Sequence, residues 1–142
     1  LKLYRDIESQ FPSDPRAATA VLRKAEVLTK LGKRAEAIKC YEQILKSPSW
    51  RGEAYAEALY RLGLIALHNK QKDKALMYFD RCYLGYANCY NWTGKALLSA
   101  AKLLATGGEI DKAKEVCDEF LGNKLNEQSP DFAEIKQYRK TL

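Results

Sequence analysis

The side chains able to do chemistry in this 142-residue chain are few and scattered: one histidine, His68, and four cysteines, Cys40, Cys82, Cys89 and Cys117. Nucleophilic catalysis needs a nucleophile, a base and an orienting group held together. The single histidine, between Leu67 and Asn69, belongs to no such set. Zinc sites draw on closely spaced ligand pairs of the C-x-x-C kind. None of the four cysteines forms one, so no metal site is expected. Cys82 and Cys89 could meet across a turn, and otherwise the thiols read as small buried packers. Thr93-Gly94-Lys95-Ala96 shares the Gly-Lys step of a phosphate-binding loop, but it lacks the glycine five residues earlier and the hydroxyl after the lysine. Asn91-Trp92-Thr93 fits the glycosylation pattern, which carries meaning only in a secreted eukaryotic chain. Carboxylates such as Glu57 and Glu115 stand among lysines and read as solvating charges. The expectation is a protein that is not an enzyme and uses no cofactor.

If chemistry is not the output, the elements matter more. With 46% apolar and 30% charged residues the chain has enough apolar content for one folded domain and too much for disorder. Its longest uncharged stretch, Cys82 to Gly94, is too short and too polar to cross a membrane. No stretch shows sustained period-two alternation, so the chain reads as all-α.

Internal self-similarity organises it. Three segments align: Ala25 through Gly32 and Ala37 to Tyr41, Gly63 through Lys70 and Ala75 to Phe79, and Ala101 through Gly108 and Ala113 to Cys117. The alanines at 37, 75 and 113 step by 38 residues. Each unit reads as two antiparallel amphipathic helices. In the second, Ala58, Leu59, Leu62, Ala66 and Leu67 mark the first helix, and Ala75, Met77, Tyr78, Phe79, Cys82 and Tyr83 the second. Gly63 sits where a bare backbone lets the partner helix approach. Gly32 and Gly107-Gly108 read as helix C-caps, and Asp14-Pro15 as an N-cap followed by proline at the first helical position.

This pattern of small residue, glycine, alanine and aromatic resembles the tetratricopeptide repeat family over residues 1–124, with Leu62-Gly63, Ala75 and Phe79 closest to the motif. The period of 38, Cys117 in place of an aromatic and Pro48 one place early are departures from it. The resemblance implies an all-α, right-handed superhelix of antiparallel helix pairs. Its division here would be 1–12 as the end of a truncated unit, 14–49, 50–87 and 88–125 as three repeats, and 129–142 as a capping or following helix. The chain would then be a slice of a longer protein. The linker Phe11-Pro12-Ser13-Asp14-Pro15 followed by Ala17-Ala18, a helix and Gly32-Lys-Arg-Ala-Glu-Ala-Ile38 resembles the repeats of bacterial cell-envelope proteins with longer spacings, the outer-membrane assembly lipoprotein and the Tol-Pal coordinator among them. That implies a periplasmic or envelope-associated location.

By the same resemblance, the first helices of successive units line a groove. Its positions map to Thr19, Leu22, Arg23, Glu26 and Lys30, then Glu57, Tyr60, Arg61, Leu64 and His68, then Lys95, Leu98, Ser99 and Lys102. Five Lys/Arg against two Glu, interleaved with apolar residues, suit a protein or peptide partner bearing acidic groups. The family's receptors for chaperone tails grip a terminal carboxylate with five polar positions. This chain has Leu22, Glu26, Arg61, Lys95 and Ser99 there, and only Lys95 fits. A second candidate surface is Tyr86, Tyr90 and Trp92, either packing the joint between units or meeting a partner. The net charge of +6 also raises an RNA-binding helical repeat as an alternative, as does an accessory docking role for an enzyme. Nucleic acid is disfavoured, because residues 96–142 carry seven Lys/Arg against eight Asp/Glu.

Overall fold

A computed structural model describes residues 15–142, which contain seven α-helices and no strand. The helices are α1 (Pro15–Lys30), α2 (Arg34–Leu45), α3 (Glu53–His68), α4 (Lys72–Gly85), α5 (Tyr90–Thr106), α6 (Ile110–Gly122) and α7 (Phe132–Thr141). Short 3-10 turns, Pro48–Trp50 and Lys124–Gln128, precede α3 and α7. Pro15 opens α1 as its fixed backbone angle favours. Asp14 and the remnant unit expected over 1–12 lie outside the described residues.

The 38-residue step is written into the helix ends. The first helix of each pair ends at Lys30, His68 and Thr106, and the second begins at Arg34, Lys72 and Ile110. An equivalent backbone bond recurs at each corner: Lys33 donates to Leu28 (2.8 Å), Gln71 to Ala66 (2.9 Å) and Glu109 to Leu104 (2.8 Å). That reversal needs a residue at positive φ, and Gly32 (+78°) and Gly108 (+86°) supply it in the outer units. In the middle unit the same corner falls on Lys70 at +60°, where a side chain is disfavoured.

Small residues hold each pair close. Ala37, Ala75 and Ala113 are fully buried at the crossings, and Tyr41, Phe79 and Cys117 are buried one turn later. The Phe79 ring lies directly over Gly63, so close that a Cβ there would come within 2.7 Å of Cδ1. Consecutive helices pack in chain order, and α1 with α3, and α3 with α5, also touch side by side. The result is a helical repeat solenoid. Met77, expected in the stripe of the second helix, is instead on its outer, exposed side, since 75, 78, 79 and 82 already fill the inward face.

The array closes on α7. Ile135 is fully buried against α5 and α6, and Arg139 reaches back to Asp118 at 2.8 Å. Gly94 makes room for the turn before α7, because a Cβ would stand 2.5 Å from Ser129 Oγ and 2.9 Å from Asp131 Cβ. Lys95 then pairs with Asp131 at 3.0 Å.

Candidate functional site

The side-by-side contact of α1, α3 and α5 makes a continuous face from the first helices of the pairs. Two recesses lie along it. The first, about 290 Å³, is lined by Glu26, Thr29 and Lys30 of α1, Arg34 and Tyr41 of α2, and Arg61, Leu64, Ile65 and His68 of α3. The second, about 430 Å³, runs from Thr19, Leu22 and Arg23 across Trp50 and Arg51 to Glu53, Glu57 and Trp92.

A four-residue ion network joins the two. Arg23 donates through Nη2 to both carboxylate oxygens of Glu57, at 2.9 and 2.6 Å, and through Nη1 to Glu26 one turn along α1. Arg61 approaches Glu57 at 3.5 Å. Two guanidiniums thus meet two carboxylates, with Arg23 and Glu57 facing the second recess and Glu26 and Arg61 the first. Burial works against the charged Arg23, but Glu57 and Glu26 more than offset it and hold its pKa above the ordinary value. Charge-assisted bonds of this kind are shorter and stronger than those between neutral groups. Glu57 is therefore a buried, fully engaged group, and the expectation that it is a solvating charge is corrected.

The network also revises the charge of the expected groove. Of the five cations assigned to it, Arg23 and Arg61 face Glu57, and Lys95 is turned to Asp131. Lys102 lies 5.7 Å from the Tyr138 ring of the end helix. Lys30, its side chain 76% exposed and only 3.8 Å from Glu26, stays open to solvent at the rim of the first recess. Beside it stand Arg34 and exposed His68.

The apolar positions divide likewise. Leu64 is half-buried and lines the first recess. Leu22, 4% exposed, is a wall of the second. Leu98 is a correction: at 7% exposed it belongs to the core beneath α7, because that face of α5 packs on α6 and the end helix. Tyr60 is half-buried between Phe79 and Trp92, with both ring centroids 6.0 Å away.

The aromatic surface also resolves by contact. Trp92 stacks on Tyr60 and lies under the Arg61 guanidinium at 5.4 Å, so it extends the ion network to α5 and belongs to the first-helix face. Tyr86 pairs with Tyr55 at 5.9 Å within the second unit, where the chain leaves α4. Tyr90 is half-buried at the start of α5. Residues missed by the sequence reading include Thr29, Arg34, Tyr41 and Ile65 in the first recess and Trp50, Arg51 and Glu53 in the second. Arg34 and Tyr41 come from a second helix, and Tyr41 looked like a core aromatic alone. It is buried, yet its phenol shares the recess, where burial pushes its pKa up to about 12.

All four cysteines are buried, and Cys82 and Cys89 are free thiols that form no disulfide. The Cys82 thiol donates to the Ala56 carbonyl at 3.4 Å, and burial pushes its pKa up to about 12 and that of Cys89 to about 11. Among the described residues no three His, Cys, Asp or Glu are grouped to hold a metal, and no helix is long and apolar enough to cross a membrane.

Residues 22–87, which span α1 from Leu22 through the first two helix pairs, match the family model described as tetratricopeptide repeat. Repeats of this family generally mediate protein–protein interaction and are typically non-catalytic. Comparison with curated proteins and with solved structures gives no match.

Proposed function

We propose that the face built by α1, α3 and α5 is the binding surface of a protein-interaction scaffold, and that it takes a partner segment carrying an apolar residue next to an acidic one. The observation that carries this reading is the first recess. Its walls include Leu64, Ile65 and the Tyr41 ring, and its rim offers Lys30, Arg34 and His68 against the single carboxylate of Glu26. An apolar side chain seated there gains burial, while Lys30 and Arg34 fix and steer the adjacent carboxylate. The ion network and Trp92 give the neighbouring stretch of the face a rigid, charge-matched surface on which partner backbone can lie.

A nucleic-acid role has less support. A phosphate backbone is held by runs of free cations, and here Arg23, Arg61 and Lys95 are matched by carboxylates of the same chain. A place in a bacterial cell-envelope assembly rests on the sequence style of the linker and first repeat, residues 11–38, and on the longer repeat spacing. Fractionation of the full-length protein tests it, and recovery in the cytosol alone would remove it.

The scaffold reading is tested by selecting random displayed peptides on the immobilised protein. Recovered binders should carry an acidic residue beside an apolar one and lose roughly 10-fold in affinity, about 1.4 kcal/mol, on Lys30→Glu or Leu64→Glu. Binders indifferent to both substitutions would place the partner elsewhere.

A further inference from the structure

A third recess, of about 220 Å³, lies away from the first-helix face, between α4, α5, α6 and the turn after α6. Leu84, Leu97, Val116 and Phe120 give it apolar walls. Its polar lining has one sign. Glu119 is the only charged residue in it, and no ion pair engages that carboxylate among the described residues. The positions three and four away on α6 are Glu115, Val116, Gly122 and Asn123, so the helix supplies it no cation. Thr93, only 2% exposed, lines the recess, and its Oγ1 has no hydrogen-bond partner. Threonine on a helix divides between two χ1 rotamers, so this hydroxyl can turn to accept from an occupant. Asn126 donates through Nδ2 to the Phe120 carbonyl, which leaves its side-chain oxygen as a further acceptor. The site also sits at the C-terminal end of α6, where the helix dipole favours positive charge.

We propose that this recess is a second docking site and that it takes a lysine side chain from a partner protein. The four-carbon stem lies against Leu97 and Val116, and the ammonium donates to Glu119, Thr93 Oγ1 and the Asn126 side-chain oxygen. The ammonium has three donors and no acceptor, which matches three acceptors and no competing cation. Burial first, and then the nearby carboxylates of Asp80 and Glu119, raise the Tyr83 phenol, in keeping with a negative field at this edge. Leu84, 69% exposed at the rim, is available to cover the backbone of the docked segment.

The probe is n-butylammonium chloride, titrated into methyl-labelled protein and followed at Thr93, Leu97 and Val116, with neutral 1-butanol as the uncharged control. The expected result is saturable shifts at those methyls, at least 5-fold weaker with 1-butanol and in Glu119→Gln, with Leu64 and Ile65 unmoved. Glu119 is exposed, so its substitution leaves the fold intact. Equal binding of the two probes, or binding unchanged in Glu119→Gln, would overturn the assignment. Nα-acetyl-lysine methylamide then asks whether the stem enters from a peptide backbone: shifts at the same three methyls support the protein source, and their absence rejects it. Because the first recess is read separately at Leu64 and Ile65, failure of either site is distinguishable from failure of the other.

Discussion

Replacing Gly63 with alanine separates helix propensity from packing. Alanine is better than glycine in a helix interior by about 1 kcal/mol, so propensity alone makes the change stabilising. The added methyl, however, would stand 2.7 Å from Phe79 Cδ1 and 2.9 Å from Cζ, with Cε1 nearer still. The ring has little room to retreat, since Phe79 is fully buried in the core. Overpacking of a tight core costs about 1–3 kcal/mol, and contact with three ring atoms belongs at the upper end. The net is a loss of about 1–2 kcal/mol, or about 3–8 °C in melting temperature for a domain of this size. Urea and thermal unfolding read this directly. Gly85→Ala is the control, because a Cβ at the end of α4 meets nothing within 4 Å and should leave stability unchanged or slightly raised. A second control is Phe79→Leu, which should cost less in the Gly63→Ala background than alone. A Gly63→Ala protein as stable as the parent would refute the claim that bare backbone at this crossing sets the spacing between helices.

Other outcomes follow from the same contacts. Lys70→Gly should stabilise by up to about 1 kcal/mol by relieving positive φ at the middle corner, seen as a higher urea midpoint. Glu57→Gln removes the negative charge that Arg23 and Arg61 share and turns one acceptor oxygen into a donor. With Arg23 partly in solvent the cost is about 1–2 kcal/mol rather than that of a sealed pair, and an Arg23/Glu57 double-mutant cycle should show coupling. The buried thiols should be silent to a thiol reagent in the native protein at neutral pH and all four titrate after denaturation. Cys82 and Cys89 have pKa values raised from 9.0 to about 12 and about 11, and Tyr41 from 10.0 to about 12. The folded state then holds protons that the unfolded chain releases. This stability is fully present below about pH 9 and is lost as pH rises toward 11–12, so the urea midpoint should fall between pH 8 and 10.5.

The fold was legible because one physical requirement recurs. A helix pair needs a small residue at its crossing, a bulky one a turn later and a positive-φ corner, and Ala37, Ala75 and Ala113 with their neighbours announce it three times. The candidate site was legible only as a face. The resemblance to the repeat family implied Arg23, Glu26, Tyr60, Arg61 and Leu64 on the groove side of the first helices, but it does not say which cations spend their charge inside the protein. Glu57 read as solvated because a carboxylate on a helix face is ordinarily a surface charge, while burial made it the hub of the network. Arg34 was invisible for a related reason: it starts a second helix, and only the corner at Gly32 swings it to the rim. The recess at Glu119 depends on four separate elements and has no local signature.

The most direct test of the central claim is a methyl and backbone NMR titration with the best acidic-apolar peptide from selection. Binding through the first-helix face predicts the largest shifts at Leu64, Ile65 and the backbone of Lys30 and Arg34, with Leu97 and Val116 on the other edge silent. Saturable binding that leaves Leu64 and Ile65 unmoved would contradict it.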